Sequence, residues 1–339
     1  MPDFFHDYQS PHSGKRCDSL SDNIKNFLSD QEKTWELLRI NYGLLDKVRT
    51  REFHFGHFNI KAQFNPSRII SSSARIDPES IAARTCFLCN ENLPGEQKKL
   101  DLGTDFFLLC NPYPIFREHF TIPTKIHVPQ EIKDHFRNML VLTKKLSDYT
   151  LFYNGPQCGA SAPDHFHFQA GNKSFLPIER DYNHMKDETV KPWYSDGEIT
   201  IWGINTYPGK FVSFESGHIA SLLKAFDSVY SGLKNHTRKE HEPLMNILSI
   251  YDNQSWRIII FPRDKHRPSH YYEKGNNNML ISPAAVDFGG LLILPREEDF
   301  SKISKEDIIN IFNQVSVSDR HFHELRSAVL RKMENRGEE

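Results

Sequence analysis

The segment Asp164-His165-Phe166-His167-Phe168-Gln169 places three polar side chains at alternate positions. On a strand alternate residues share a face, so His165, His167 and Gln169 point one way while Phe166 and Phe168 turn to a core. A neutral imidazole is a good nucleophile toward phosphorus when one ring nitrogen attacks and the other donates to a fixed acceptor. The preceding loop holds Gly155, Gly159, Ala160 and Ser161, and such a loop can turn backbone N–H groups toward phosphate oxygens. Gln169 can donate to a phosphoryl oxygen but has no titratable proton to give. Taken alone, His-x-His also suits an ordinary strand or a metal site.

Cys86-Phe87-Leu88-Cys89 is a second constellation. Two thiolates two residues apart suit a tetrahedral Zn²⁺, which needs two further ligands, usually histidines; the same spacing also occurs in buried structural cysteines. A third feature is Arg263-Asp264-Lys265-His266-Arg267. A charged loop of this kind is ordinarily solvated surface, and the alternative is that Arg263 or Lys265 reaches a distal phosphate.

The elements that must hold these residues read as α+β. Residues 1–18 are polar and turn-rich, a loose arm. From Ser19, Ile24, Phe27, Leu28, Trp35, Leu38, Tyr42 and Leu45 recur at helical spacing, in one helix or two. Phe53 to Phe64 alternates as strands do and stops at Asn65-Pro66. Phe106–Leu109 and His119–Ile122 read as a hairpin, Pro129 and Gln130 as the opening of a helix through Leu146, and Leu151–Tyr153 and His165–Gln169 as two more strands. The sheet is expected to be antiparallel with helices on one side. A helix from Ile219 to Leu233, a hairpin at Asn246–Tyr251 and Trp256–Phe261, a strand at Gly290–Leu294 and a last helix around Ile308–Phe312 echo the first half without its histidines. The chain thus divides into an arm (1–18), a catalytic half (19–190), a degenerate second half completing the pocket (191–330) and a polar tail (331–339).

Bulk composition narrows the function. At 339 residues, 38% hydrophobic and 12% aromatic, there is ample material for a core. The 42 basic and 44 acidic residues nearly cancel, so no broad positive field exists to hold nucleic acid or an acidic membrane, and an anionic ligand must be held locally. The five cysteines are an odd and scattered set, which suggests a reducing cytoplasm rather than a disulfide framework. No leader-like start or membrane-length apolar run is present, so a cytoplasmic location is expected.

Asn154, Gly155, Gly159-Ala160-Ser161 and His165-x-His167-x-Gln169 together resemble the active-site signature of the histidine-triad superfamily, in the branch with glutamine last. That branch holds the galactose-1-phosphate uridylyltransferases, dinucleoside tetraphosphate phosphorylases and GDP-hexose phosphorylases. Asn111-Pro112 through His119-Phe120-Thr121-Ile122-Pro123 is similar to the family's central hairpin. Asn65-Pro66-x-Arg68 with Ser71-Ser72-Ser73-Ala74-Arg75 is similar to a uridylyltransferase segment that contacts nucleotide phosphates. Phe288-Gly289-Gly290 to Pro295 and Val315-Ser316-Val317-Ser318 resemble the closing segment of the GDP-hexose phosphorylases. The likeness spans about residues 60 to 325, strongest at the cluster.

The resemblance implies a histidine-triad-like antiparallel sheet with packed helices, internally duplicated into a pseudo-dimeric transferase fold. It implies His167 as nucleophile, with Asn154, Ser161 and Gln169 binding the attacked phosphate, Gly159 and Ala160 offering backbone donors, and Arg68 and Arg75 meeting neighbouring phosphates. His165 stands four positions after Ser161, one more than in the uridylyltransferases, which bears on the contact of Ser161. A structural zinc on Cys86, Cys89, His127 and His165 is implied likewise. The expected function is nucleotidyl transfer: GDP-hexose and inorganic phosphate to GDP and hexose 1-phosphate through a nucleotidyl-histidine. Dinucleoside tetraphosphate phosphorolysis is the alternative, then uridylyl transfer, then a non-catalytic nucleotide sensor. Expected partners are the nucleotide or nucleotide sugar and phosphate, with no nucleic acid or membrane; a homodimer is left open.

Overall fold

A computed structural model of the protein describes residues 19–72, 76–188, 191–236 and 242–334. The expected arm, Arg75 and residues 335–339 of the expected tail lie outside the described residues. The first amphipathic stretch forms two helices, Leu20–Thr34 and Glu36–Leu44. Ser19 opens the first with a capping box to Asp22, and Trp35, extended at φ −123° and ψ 103°, breaks the run. Ile24, Leu28, Leu38 and Tyr42 form the buried stripe. No helix among the described residues is long and apolar enough to cross a membrane.

The strands are β1 (Arg49–Phe55), β2 (Phe58–Phe64), β3 (Leu100–Asp101), β4 (Phe107–Cys110), β5 (His119–Pro123), β6 (Tyr149–Asn154), β7 (His167–Asn172), β8 (Tyr194–Ser195), β9 (Ile199–Ile204), β10 (Phe211–Ser216), β11 (Met245–Asp252), β12 (Ser255–Pro262) and β13 (Leu291–Leu294). Ten of them build one antiparallel sheet in the order β3-β4-β5-β7-β6-β11-β12-β10-β9-β8. The order contains a repeat. The series β4, β5, helix Phe136–Lys145, β6, β7 is laid out as β4-β5-β7-β6, and β9, β10, helix Ile219–His236, β11, β12 as its mirror, β11-β12-β10-β9. The two copies meet where β6 pairs antiparallel with β11, from Asn246 opposite Asn154 to Ser249 opposite Leu151. Strands β9 and β10 were not read from the sequence. The Gly290–Leu294 segment, read as part of the second copy, instead pairs parallel with β2 in a separate sheet, β1-β2-β13.

Helices do not cover one side only, because the central strands are apolar on both. Leu151, Tyr153, Ile247, Ile258 and Ile260 belong to a core closed by helices, including Phe136–Lys145, Ile219–His236 and the final helix Asp319–Glu334. Their alternates Phe152, Leu248, Ile259 and Phe261 belong to a second core under the small sheet and helices Pro177–Glu188 and Lys305–Val315. A sheet buried on both faces reads as a continuous apolar run, and the period-two signal fades. The helix expected from Pro129 starts later, as a 3₁₀ turn at Lys133–His135 leading into Phe136, which leaves Gln130 outside it.

Candidate active site

The site lies where β6 ends and β7 begins. Their ladder stops at Phe152 opposite Gln169, so Asn154 and His167 are no longer paired to each other. Gln130, fully buried, fills the opening: its Oε1 accepts from the His167 N–H at 2.7 Å, and its Nε2 donates to the carbonyls of Asn154 (3.0 Å) and His167 (2.9 Å). One carboxamide thus replaces missing strand hydrogen bonds and lets the strands splay without orphaned backbone groups. Nothing in the residues around Gln130 marks it for this role.

His167 is 3% exposed. Its Nδ1 donates to the carbonyl of His165 at 2.8 Å, which leaves Nε2 as the ring nitrogen that carries the lone pair. Burial pulls the imidazole down to about 4, against that bond, and so keeps the ring neutral near pH 7. Strand β7 starts at His167, so strand alternation aligns His167 with Gln169, while His165 sits just before it, its N–H on the Ala162 carbonyl.

Two carboxamides flank this position, and both are held with the oxygen engaged. His119 Nδ1 accepts from the Ile115 N–H (3.1 Å), so its Nε2 carries the proton and donates to Gln169 Oε1 at 3.0 Å. Burial, then the charge of Arg68, lowers His119 to about 3, which keeps it neutral. Asn154 Oδ1 accepts from Asn246 Nδ2 (2.8 Å) and from the Ala285 N–H (2.8 Å). With both oxygens occupied, each amide has its NH₂ left to offer an anion. His119 and Asn246 are partners that motif reading missed, because neither carries a role visible in one dimension.

The loop from β6 to β7 carries Gly159, Ala160 and Ser161. Gly159 has φ +97°, and a Cβ there would come within 2.5 Å of Ala284 Cβ, so both conformation and packing require glycine. Ala160 is buried and Ser161 half-buried on this loop. Arg68 follows β2, donates through Nη1 to the Tyr113 carbonyl at 2.7 Å, and has a buried Nε without a partner. Burial lowers Arg68 to about 10, opposed by Asp287. Lys265 is exposed on the loop after β12. Arg263, by contrast, is 1% exposed and spends all five N–H groups within the protein, so the reading in which it reaches a phosphate does not fit this arrangement. Arg75 is among the residues not described.

Beside the site, the possible ligand atoms of Cys86, Cys89, His127 and His165 all lie within 4.8 Å of one another. Cys86 Sγ is 3.3 Å and Cys89 Sγ 3.5 Å from His165 Nδ1, and Cys89 Sγ is 3.2 Å from His127 Nδ1. Zn–S and Zn–N bonds of about 2.0–2.3 Å in a tetrahedron need ligand spacings of roughly 3.3–3.8 Å, so the three Cys–His contacts have close to the spacing of such a site and the group as a whole could close on an ion. His165 Nε2 donates to the Thr124 carbonyl at 2.9 Å, which turns the Nδ1 lone pair to the cluster, as a metal-ligating histidine requires.

Comparison with known proteins agrees with this architecture. Residues 27–172 match the model of a domain of unknown function (DUF4922), and residues 182–336 that of the GDPGP1-like, C-terminal domain. The galactose-1-phosphate uridylyltransferase of Clostridium acetobutylicum is 22% identical over 265 residues, 68% of this chain and 52% of that protein. That of Halalkalibacterium halodurans is 27% identical over 165 residues, 43% and 30% of the respective chains. The chain therefore spans between 30% and 52% of the length of these curated relatives. Yeast Ap4A phosphorylase Apa2 superposes with a TM-score of 0.55 at 14% identity, over 87% of this chain and 94% of that one. Its complex with Ap4A gives 0.53 at 14% identity, over 87% and 97%. At such identity the likeness is one of fold. Fold, sequence relatives and the second-half family model converge in support of the histidine-triad superfamily, in the branch of the galactose-1-phosphate uridylyltransferases and Ap4A phosphorylases.

Proposed function

We propose that the protein is a nucleotidyltransferase of the phosphorylase type, converting a GDP-hexose and phosphate to GDP and hexose 1-phosphate. His167 Nε2 attacks the α-phosphorus of the donor, a P–N bond forms, and the P–O bond to the hexose phosphate breaks, releasing the hexose 1-phosphate anion. An oxygen of inorganic phosphate then attacks the same phosphorus, the P–N bond breaks and GDP leaves. Neither leaving group needs a proton, which suits glutamine rather than an acid at position 169. Gln169 and Asn154 would hold the attacked phosphate, the loop of Gly159, Ala160 and Ser161 would add donors, and Arg68 and Arg75 would neutralise its neighbour. Residues 19–190 would supply the nucleophile and 191–330 complete the pocket.

The observation that carries this reading is the pairing of His167 Nδ1 with the His165 carbonyl, which leaves a neutral imidazole with a single available nitrogen. The GDP-hexose choice leans on the match of residues 182–336 to the GDPGP1-like model. Cys86, Cys89, His127 and His165 would hold Zn²⁺, whose chemistry there would be structural: with four protein ligands it has no open position and pins the turn leading into His167.

The test is a panel of GDP-, UDP- and ADP-hexoses and Ap4A, each with phosphate, and the UDP-hexose also with a hexose 1-phosphate. A GDP-hexose giving GDP with ping-pong kinetics is expected. Without phosphate, intact-protein mass spectrometry should show one added GMP, acid-labile and on His167, and His167→Ala should lose adduct and turnover together. Turnover of Ap4A instead would move the donor within the same chemistry. Binding with no turnover anywhere would favour a sensor. Robust sequential kinetics with no adduct, or a label on His165, would sink the mechanism.

A further inference from the structure

Arg263 is the first residue past β12 and has no carboxylate at ion-pair distance among the described residues. Its partners are all neutral: Nε donates to the Val315 carbonyl (3.2 Å), Nη1 to Asn246 Oδ1 (2.5 Å) and the Pro283 carbonyl (2.9 Å), and Nη2 to the carbonyls of Lys265 and His266 (3.1 Å each). Beyond these bonds the guanidinium rests over the Phe288 ring, 4.6 Å from its centroid, and feels the Asp287 carboxylate only at longer range. A buried guanidinium without a direct ion pair is costly, and apolar residues could close this turn without that cost. What the guanidinium supplies and an apolar group cannot is direction, because arginine only donates.

That direction propagates. Arg263 occupies the oxygen of Asn246, so the Asn246 amide nitrogen must face the other way, where it donates to Asn154 Oδ1 (2.8 Å) and the Cys158 carbonyl (2.7 Å). Asn154 Oδ1 takes a second donor from the Ala285 N–H, in the segment that Arg263 also anchors through Pro283. A carboxamide is nearly symmetric in shape, and only such a chain of donors distinguishes its two ends. We propose that Arg263 is a positioning residue: through Asn246 it fixes the polarity of the Asn154 carboxamide, so that a group of the second half sets which atom Asn154 presents beside His167. The proposal rests on the reading that Asn154 binds the attacked phosphate of the nucleotide.

Asn246→Asp tests it. A carboxylate keeps the partner of Arg263 but can only accept, so Asn154 must turn its NH₂ to the carboxylate and its oxygen to the site. Two readouts follow in the full-length protein: single-turnover transfer with GDP-glucose and phosphate, or whichever panel donor the wild type uses, and the side-chain amide signals of ¹⁵N-asparagine-labelled protein, with Asn154 assigned by its loss in Asn154→Ala. The expected result is a folded protein with a lowered melting temperature, because the new carboxylate faces the Cys158 carbonyl and the turned Asn154 leaves the Ala285 N–H without its acceptor. It comes together with a displaced Asn154 amide pair and a rate lowered by about 10–10³-fold. In an Asn154→Ala background the same substitution should cost no more than about twofold, because it acts through Asn154. An unmoved Asn154 signal, a moved signal with an unchanged rate, or an equal rate loss in both backgrounds overturns the proposal. If the wild type transfers no nucleotide at all, the functional reading fails, while the amide signal still decides whether Asn246 sets the polarity of Asn154. Should Asn246→Asp fail to fold, Arg263→Lys, which removes the donation to Asn246 if the shorter side chain falls short of it, is read by the same two signals.

Discussion

His119 Nε2 lies 3.0 Å from Gln169 Oε1, and this contact decides which end of the Gln169 amide is left free beside His167. His119→Phe keeps the ring volume and removes the donor. Adduct formation should slow by about 10–10²-fold, against about 10²–10³-fold for Gln169→Ala. In the double variant His119→Phe should add little. Single-turnover rates check this, and full additivity would mean that His119 acts elsewhere.

Metal content gives a second expectation. The purified protein should hold about one zinc per chain, and Cys86→Ser with Cys89→Ser should abolish it and lower the melting temperature. Elemental analysis and calorimetry measure both. Metal-free wild type with an unchanged melting point would remove the ion from this account.

Gln130 clamps the splayed strands. Gln130→Ala leaves the His167 N–H and the carbonyls of Asn154 and His167 without the partner they share. Buried groups left unpaired cost about 1–3 kcal/mol each, partly relieved by water, so a loss of roughly 2–4 kcal/mol in denaturant unfolding is expected. A change below about 1 kcal/mol would show that the strand ends find other partners.

Stability should also depend on Glu242. Tyr153 Oη lies 2.6 Å from Glu242 Oε1 and 3.0 Å from the Gln130 carbonyl, yet a phenol has one proton. If that proton goes to Gln130, the hydrogen at the shorter contact belongs to Glu242, which is then a carboxylic acid. Burial pushes Glu242 up to about 8, against the bonds that its ionised form would accept from Tyr153 and the Ile132 N–H. A folded value above the unfolded one of 4.5 means that the folded chain binds the extra proton between those values. Its stabilising contribution is complete below pH 4.5 and is lost as pH rises through 8, by on the order of a few kcal/mol. Glu242→Gln should flatten stability across that window, and an identical slope in the variant would contradict the assignment.

The His-x-His-x-Gln motif and the cysteine pair stand out in the sequence because they lie in short spacings, and the structure brings His127 and His165 to Cys86 and Cys89. Long-range polar pairs have no such signature. Asn154 and Asn246 stand 92 positions apart and meet only because β6 pairs with β11. Arg263 opens a run of charges that resembles solvated surface, but its place at the end of β12 turns it inward while Lys265 stays exposed. Gln130 follows Pro129 and so looks like the start of a helix. Strand β10 is buried along nearly its whole length and shows too little alternation to stand out, and Gly203 interrupts the run of β9.

The pairing of β6 with β11 also limits how the molecule can be divided. An excised segment 19–190 would present Leu151 to Asn154 as an unsatisfied strand edge and strip helix Ile219–His236 from the core beneath it. A second copy of the same fragment could cap that edge about a two-fold axis. Such a fragment would therefore self-associate in place of its lost other half, bringing two His167 side chains into one assembly that the intact chain builds with one.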